Sequence, residues 1–515
     1  MTSLLPYARH VKRTLAALGA VLLLVSGCAN NALVRGGTGD TSTGGLPEYP
    51  AQLARFYEQR VEWTSCGKDQ CARVQVPMNY EDPEGATIEL SMRKQEASGS
   101  AVGSIFINPG GPGGSGLELL PTASISLGKD VVEKYNVIGF DPRGVGESTP
   151  ITCFTDAELQ QLVDTTYPDS DPEAGAKEAA DARRVAERCK EKNGEYLKYV
   201  DTRSAARDLD VLRHLVGDRS LNYLGYSYGT FLGAQYADLF PAQVGRMVLD
   251  GAVDTTLGTA RLATDQTRGF EESARRFVEW CQQEQGTRCP LKGSVDEGIA
   301  HMRGIIDAAT ATPIPTGNPS MPLTGAQALS AFTIPFYSKM LWPVLMEGIS
   351  EVDKQNKGTV LQLIALTGQS RDPSDGHFLD NSTEANWAIN CADYRPATDA
   401  ELEEASRATK GGPLLGDAYA GSDLCQVWPT QAKANPGPFR AAGAAPIIVI
   451  GTKYDPATPQ AWAKSLAEDL ESGVLVTWEG DGHTAFGTAG RCIDDPIRQF
   501  YLTGAVPENL NCPAR

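Results

Sequence analysis

One short motif, Gly225-Tyr-Ser-Tyr-Gly229, constrains the fold of this chain more than any other part of its sequence. It follows an apolar stretch at residues 221–224 and precedes a stretch with helical spacing from Phe231 to Phe240. A Gly-x-Ser-x-Gly motif between a strand and a helix is a nucleophile elbow, whose glycines permit a turn tight enough to expose the serine hydroxyl above a sheet. The sequence therefore predicts that Ser227 is a catalytic nucleophile. The alternative is an ordinary glycine-rich turn.

Apolar segments of strand length recur on both sides of this motif. The segments predicted to form strands are residues 103–108, 135–140, 246–250, 446–451 and 474–478, after a β-rich entry at 51–100. Helical patterns separate most of them, and strands that alternate with helices favour a mostly parallel sheet with helices on both faces. Together with the elbow, this alternation predicts an α/β-hydrolase fold.

The alternation lapses between residues 255 and 430, where helical patterns and proline-bearing loops dominate. Helices are predicted there at Thr267–Glu284, Val295–Ala309 and Gly325–Met346. We expect this segment to be a mainly helical cap, inserted over the carboxyl edge of the sheet. The hydrolase core would then consist of residues 51–254 and 431–515, the second part carrying the catalytic acid and base.

The first 27 residues have the features of a bacterial export signal. Three basic residues precede an apolar run, Leu15–Val25, which is too short to span a membrane as a mature helix. The ending Ser26-Gly-Cys28 resembles a lipobox, so we expect cleavage to leave a lipid-modified Cys28; the alternative is a plain secretory signal. Residues 28–50, rich in Gly and Thr, are predicted to be a flexible tether. The expected location is extracytoplasmic, either lipid-anchored to the bacterial cell membrane or secreted.

The cysteine count fits an exported protein. Of 11 cysteines, ten remain if Cys28 carries lipid, and this even number suggests up to five disulfides. Cysteines that are neighbours in sequence offer the candidate pairs Cys66–Cys71, Cys153–Cys189, Cys281–Cys289, Cys391–Cys425 and Cys492–Cys512, although the sequence alone leaves the connectivity open. No cysteine pair has a finger-like spacing with a histidine partner, so no metal site is predicted.

A serine nucleophile needs a general base, and the chain has only five histidines. His10 lies in the signal segment, His214 in a helical pattern, His301 in a predicted cap helix and His377 in a polar loop. His483 follows the last predicted strand among small residues, where a loop can reach over the edge of the sheet. We therefore predict His483 as the base, the alternative being a structural turn histidine.

The remaining parts of the site follow from chain order. Asp455 follows the penultimate strand and precedes His483, which gives the order Ser, Asp, His of α/β-hydrolases. Asp481 is a rival for the acid, although its place two residues before the base is more typical of a loop-shaping residue. The oxyanion hole needs two backbone N–H donors. We expect one from Tyr228 and the other from Gly111 or its neighbour Gly110, in the glycine run after residue 108.

The same glycine run contains a competing motif. The residues at 111, 113 and 116 match the dinucleotide fingerprint Gly-x-Gly-x-x-Gly, and Asp141 lies at about the expected distance downstream. Pro109 and Pro112 stiffen the segment where a phosphate-binding helix would begin, and this interpretation leaves the triad unexplained. No cofactor is therefore predicted. A net charge of −18 and a pI near 4.9 also argue against nucleic acid as a partner.

Five motifs in order resemble the secreted tripeptidyl aminopeptidases, serine α/β-hydrolases related to the proline iminopeptidases. They are Asn108-Pro-Gly-Gly-Pro-Gly-Gly-Ser-Gly116, Gly139-Phe-Asp-Pro-Arg-Gly-Val-Gly-Glu-Ser148, Gly225-Tyr-Ser-Tyr-Gly229, Gly451-Thr-Lys-Tyr-Asp455 and Gly480-Asp-Gly-His483. The resemblance covers most of residues 60–512. It implies an enzyme that removes short peptides or single residues from free amino termini. Pro109 stands where the iminopeptidases usually have histidine, which favours the tripeptidyl branch.

An aminopeptidase must place a carboxylate where the ammonium group of its substrate ends. Three acids in or beside the cap segment are candidates: Asp393, Glu347 and Asp254. The expected partners are peptide substrates, with membrane contact only through the lipid anchor; the sequence leaves the oligomeric state open. An esterase or lipase that uses the same triad, and a binding module on a hydrolase scaffold, remain the alternatives.

Overall fold

Strands and helices alternate along most of the chain outside the segment between residues 255 and 430. The computed structural model describes residues 45–167, 171–416 and 424–514. The predicted signal segment, Cys28 and most of the predicted tether lie outside these residues. The strands are β1 (Thr64–Cys66), β2 (Asp69–Pro77), β3 (Thr87–Gln95), β4 (Ser104–Asn108), β5 (Asn136–Phe140), β6 (Leu221–Tyr226), β7 (Val244–Asp250), β8 (Ile447–Tyr454), β9 (Gly473–Asp481) and β10 (Asn511–Cys512).

These strands form one sheet in the order β1-β2-β3-β5-β4-β6-β7-β8-β9-β10. The first three strands and the β3–β5 pair are antiparallel, whereas all pairs from β5–β4 onward are parallel. The β-rich entry therefore forms an antiparallel edge on a parallel sheet. The carboxyl ends of β6, β7, β8 and β9 are neighbours, so the segments that follow them meet at one edge.

Helices cover both faces of this sheet. Those outside the segment between β7 and β8 are α1 (Ala54–Tyr57), α2 (Gly116–Leu127), α3 (Lys129–Val132), α4 (Asp156–Val163), α5 (Ala174–Asn193), α6 (Thr202–Leu215), α7 (Tyr228–Leu239), α15 (Gln460–Asp469) and α16 (Arg491–Thr503). Side chains alternate between faces along each strand: Phe106 packs with α6 and α7 in one buried apolar cluster, and Ile105 and Ile107 pack with α2 and α16 in another. The predicted fold class is confirmed.

The segment between β7 and β8 is mainly helical. Its described helices are α8 (Thr259–Gln285), α9 (Val295–Ala311), α10 (Gly325–Thr333), α11 (Trp342–Gln355), α12 (Thr359–Gly368), α13 (Ser382–Asp393) and α14 (Asp399–Thr409). Five of them, α8 to α12, bury an apolar cluster of their own that includes Phe277, Phe332 and Trp342. We call residues 255–430 the cap segment, and its division from the core remains a prediction.

One helix predicted in the cap segment is wrong. Gly325–Met346 is not continuous: α10 ends at Thr333, two short 3₁₀ turns follow at Ile334–Tyr337 and Lys339–Leu341, and α11 begins at Trp342. Pro335 cannot donate to an α-helical ladder. Ser338 is extended, with φ −151° and ψ 120°, and forms an isolated bridge with Gly482. A tertiary contact therefore replaces the helical turn.

All five predicted cysteine pairs are disulfides in the structure: Cys66–Cys71, Cys153–Cys189, Cys281–Cys289, Cys391–Cys425 and Cys492–Cys512. Such a framework is typical of proteins that fold in an oxidising compartment. Among the described residues, no helix is both long and apolar enough to cross a membrane.

Candidate active site

Ser227 occupies the turn between β6 and α7. Its backbone has φ 56° and ψ −126°, a conformation that non-glycine residues rarely adopt and that is found at functional sites. The turn closes only because its flanking residues lack side chains. A Cβ at Gly225 would lie 2.4 Å from the carbonyl oxygen of Gly229, and a Cβ at Gly229 would lie 2.8 Å from that of Asn108. Ser227 thus has the strand–turn–helix setting of a nucleophile elbow.

The predicted acid and base are hydrogen-bonded to each other. Asp455 directly follows β8, and its Oδ2 and Oδ1 lie 2.8 Å and 3.0 Å from Nδ1 of His483, just beyond β9. The carboxylate of Asp455 also accepts hydrogen bonds from the N–H groups of Ala457 and Thr458. Asp481, the rival acid, forms a salt bridge with Arg276 of the cap segment instead.

The hydrogen bond to Asp455 leaves the second ring nitrogen of His483 for chemistry. Nε2 is buried and has no hydrogen-bond partner among the residues that the structure describes. Burial alone would lower the pKa of His483, but the charge and hydrogen bond of Asp455, with the charge of Asp250, outweigh it and raise that pKa. A carboxylate that fixes one ring nitrogen and stabilises the imidazolium is what a general base requires.

The elbow and the histidine loop meet at the turn after β7. The N–H of Ser227 donates to the carbonyl of Asp250 at 2.9 Å. The next residue, Gly251, has φ +68°, and a Cβ there would lie only 3.0 Å from Cε1 of His483. Ser227 and His483 therefore each contact the Asp250–Gly251 turn, which places the predicted nucleophile and base next to the same two residues.

The predicted oxyanion donors lie beside the elbow. Tyr228 is the first residue of α7, so its N–H has no carbonyl partner within the helix. A Cβ on Gly110 would lie 2.9 Å from the nitrogen of Tyr228, so the glycine run packs directly on the elbow. The N–H of Gly110 already donates to Oδ1 of Asn108 at 3.0 Å. Gly111, which lines the same cavity as Ser227, is therefore the better candidate for the second donor.

Comparison with known proteins places this chain in a family. Residues 103–289 match the family model described as alpha/beta hydrolase fold, and residues 412–512 match the model described as TAP-like protein. The serine protease Hip1 of Mycobacterium tuberculosis is 33% identical over 519 residues, which cover 96% of this chain and 95% of the relative. The tripeptidyl aminopeptidase of Streptomyces coelicolor is 30% identical over 477 residues, covering 88% of this chain and 86% of the relative. The chain belongs to the tripeptidyl aminopeptidase family of serine α/β-hydrolases.

A third relative has a different name. Carboxylesterase B of Mycobacterium tuberculosis is 31% identical over 453 residues, which cover 86% of each chain. Relatives within this range of identity are thus named as peptidases and as an esterase. As a member of the tripeptidyl aminopeptidase family, the chain is a serine peptidase.

In this family member, Ser227 lines a cavity of about 350 Å³. Its walls come from the glycine run, from α7 and from the cap segment, which contributes Leu262, Trp387 and Tyr394. A second cavity of about 630 Å³ shares Gly111, Pro112, Asn386 and Trp387 with the first. The two cavities therefore adjoin at the glycine run and at α13.

The three acids proposed for the substrate ammonium lie in different settings. Both oxygens of Asp393 accept hydrogen bonds from Thr202, at 2.7 Å and 2.6 Å, and burial and the charge of Asp201 raise the pKa of Asp393 well above its ordinary value. Asp254 is buried and accepts two hydrogen bonds from Thr256. Glu347 is exposed on α11 and lines neither cavity. Their roles remain predictions.

Sequence reasoning missed three residues around His483. The Thr458 hydroxyl lies 3.0 Å from Oδ2 of Asp455 and 3.2 Å from Nδ1 of His483. The carbonyl of Tyr337 accepts the His483 N–H at 2.9 Å, and its ring stands edge-on to the imidazole with centroids 5.3 Å apart. Asp250 binds the loop beyond the histidine. Of these three residues, only Thr458 could have been found from the sequence, because it lies three residues after the predicted acid, Asp455.

Proposed function

We propose that this protein is an exported aminopeptidase that releases tripeptides or other short units from free peptide amino termini through an acyl-enzyme on Ser227. The observation that carries the proposal is the cavity at Ser227, which cap-segment residues such as Trp387 and Tyr394 wall on one side. A cap that covers the cleft favours short chain ends over the middle of a folded protein. The tripeptidyl aminopeptidase relative supports the same activity.

The proposed chemistry uses residues whose geometry is described above. Nε2 of His483 takes the proton of the Ser227 hydroxyl as its oxygen attacks the scissile carbonyl carbon. The N–H groups of Tyr228 and Gly111 stabilise the oxyanion of the tetrahedral intermediate. The imidazolium then gives its proton to the leaving amine, the C–N bond breaks, and an ester to Ser227 forms. Water, activated by the same histidine, hydrolyses that ester and releases the short peptide.

The position of the base suggests how the peptide lies. The leaving amine must approach His483, so the amino-terminal part of the substrate extends away from it. The cavity of about 630 Å³ fits that side, because its lining includes the glycine run and α13 but none of the residues directly after the ends of β7, β8 and β9, where Gly251, Asp455 and His483 lie. Glu118 and Asp380 line this cavity. Burial and the neighbouring charge of Asp380 raise the pKa of Glu118, and a positively charged substrate ammonium would offset both effects by stabilising the ionised carboxylate.

The deciding experiment compares substrates that differ only at the amino terminus. Purified enzyme is assayed with free-amino mono-, di- and tripeptide anilides, with their N-acetylated forms, and with short acyl esters. We expect the free tripeptide anilide to have the highest kcat/KM. The Glu118→Gln variant should raise KM for the free peptide at least about tenfold, because a lost ammonium–carboxylate pair costs a few kcal/mol. The matched Glu347→Gln variant should leave KM unchanged, whereas the reverse result would move the ammonium site to Glu347.

An esterase is the second candidate, favoured by the relative named carboxylesterase B. The triad is the same for ester and amide substrates, so only the substrate panel separates the two activities. Efficient cleavage of N-acetylated substrates or acyl esters, with slow cleavage of free peptides, would establish the esterase and refute the aminopeptidase.

Export is proposed from two features, the disulfide framework and the lipobox-like ending at Cys28. Expression of the full chain in a bacterial host, followed by membrane fractionation and mass spectrometry of the amino-terminal peptide, tests both location and lipid. The Cys28→Ser variant should lose the lipid modification without losing peptidase activity. Recovery of an unprocessed chain in the cytoplasm would contradict export.

A further inference from the structure

Asp250, at the end of β7, is a fully buried carboxyl that the catalytic steps above do not use. Its main-chain oxygen accepts the N–H of Ser227 at 2.9 Å. Its side chain accepts the N–H of Ala485 at 3.1 Å and 3.0 Å, and the N–H of Phe486 at 2.7 Å. Asp250 is therefore hydrogen-bonded both to the backbone of Ser227 and to the backbone two and three residues beyond His483.

The carboxyl of Asp250 is also electrostatically coupled to the imidazole. Burial raises the pKa of Asp250 to about 7, although the N–H groups of Phe486 and Ala485 and the charge of His483 lower it. In return, the charge of Asp250 contributes to the raised pKa of His483. Two groups coupled in this way titrate as a pair.

We infer that Asp250 is a positioning residue, which ties the histidine loop to the nucleophile elbow and adds a second negative charge beside the imidazole. This inference rests on the proposed roles of Ser227 and His483. The residue type fits the role, because the N–H of Ala485 meets both side-chain oxygens, the N–H of Phe486 meets Oδ2, and only a carboxylate offers an acceptor at both positions. An asparagine would turn an NH₂ group towards one of these donors or remain with a single acceptor.

Asp250 has a matched control on the same loop. Asp494 is also buried, and its Oδ1 accepts the N–H of Gly487 at 2.8 Å. Gly487 lies four residues past His483. The Asp494→Asn variant therefore disturbs the same loop through the same chemical change, but Asp494 is not among the groups that set the pKa of His483.

The experiment measures kcat, KM and the pH dependence of kcat/KM for Asp250→Asn and Asp494→Asn, with circular dichroism to verify folding. The charged or titratable groups that face His483 are Asp455, Asp250 and Tyr337. Those near Asp250 are His483, Asp455 and Tyr226. Among these groups, the Asp250→Asn substitution removes only the charge of Asp250.

For Asp250→Asn we expect kcat to fall about 10- to 100-fold with little change in KM, because the base is displaced by a fraction of an ångström while the substrate cavities stay intact. The acid limb of kcat/KM should move to lower pH, because Asp250, whose pKa is about 7, is partly ionised in this range and its charge, which favours the imidazolium, is lost in the variant. For Asp494→Asn the acid limb should stay in place.

An unmoved acid limb in Asp250→Asn, or equal shifts in both variants, would overturn the inference and leave Asp250 as a packing residue. If Asp250→Asn does not fold, Asp250→Glu decides: it keeps the charge and misplaces the acceptors, so it should turn over slowly with the wild-type acid limb. Wild-type turnover in Asp250→Glu would also overturn the inference. Failure of the proposed triad is recognised separately, because Ser227→Ala would then remain active.

Discussion

Gly110 packs tightly against the elbow, which makes Gly110→Ala a sharp test of the oxyanion hole. An alanine Cβ at position 110 would lie 2.5 Å from the carbonyl oxygen of Tyr226, 2.7 Å from Cβ of Ser227 and 2.9 Å from the nitrogen of Tyr228. The oxygen and the nitrogen are backbone atoms of a turn that is itself constrained, so the glycine run must move instead. Ordinary contact needs 3.4–4 Å, which implies a displacement of about 1 Å.

Such a displacement would pull the N–H of Gly111 away from the developing oxyanion. Loss of one oxyanion donor costs about 2.7–4 kcal/mol, or roughly 100- to 1,000-fold in kcat. The alanine would also hold a positive φ, at +96°, which costs about 1–2 kcal/mol of folding stability. We therefore expect a folded, somewhat less stable enzyme with a severe loss of kcat on the preferred peptide anilide.

Gly217→Ala separates strain from contact. Gly217 also has a positive φ, at +86°, but a Cβ there would meet no heavy atom within 4 Å. It precedes β6, at the opposite end of the strand from Ser227. This variant should lose similar stability in thermal unfolding and keep wild-type kcat. A Gly110→Ala enzyme with kcat within about threefold of wild type would refute the placement of the glycine run in the oxyanion hole.

Three further outcomes are expected. Ser227→Ala should be folded and inactive in the anilide assay, and adding His483→Ala should cost little more, because the triad acts as a unit; additive losses would remove one of them from the mechanism. Activity should fall as pH drops through the pKa of His483, since the base must be neutral. Because that pKa is raised, the acid limb of kcat/KM should lie above pH 6.5. An acid limb below pH 6.5 would contradict the pairing of His483 with Asp455. Loss of the Cys391–Cys425 or the Cys153–Cys189 disulfide should lower stability by a similar amount, about 3–4 kcal/mol by chain entropy. Of these two pairs, only Cys391–Cys425 lines the cavity at Ser227. Activity assayed below both melting temperatures should therefore fall only in the variant that lacks Cys391–Cys425.

The sequence was sufficient where local structure depends on short-range constraints. The nucleophile elbow is one continuous motif whose glycines leave no room for side chains, so Ser227 could be located without knowledge of distant contacts. His483 emerged by elimination because the chain has so few histidines. The cysteine pairs also followed from nearness in sequence, since the widest pair, Cys153–Cys189, is separated by only 36 residues.

The sequence was insufficient where a contact between distant segments decides the local structure. Gly325–Met346 has a helical apolar pattern, yet Ser338 is extended because it pairs with Gly482, 144 residues further along the chain. Asp250 looks like an ordinary acid at a strand end, and only the tertiary structure brings Ala485 and Phe486 to its oxygens. No periodicity in one sequence encodes such pairings.

These long-range contacts share one target, the loop that carries His483. Asp455 holds the imidazole from β8, Asp250 holds the following backbone from β7, and the carbonyl of Tyr337 holds the histidine N–H from the cap segment. Each contact fixes a different atom of the loop, so none can replace another. A general base that must take and return a proton within one cycle gains from such restraint, because an imidazole misplaced by a fraction of an ångström no longer serves both the serine oxygen and the leaving amine. Because one restraint comes from the cap segment, the position of the base depends on that segment as well as on the sheet.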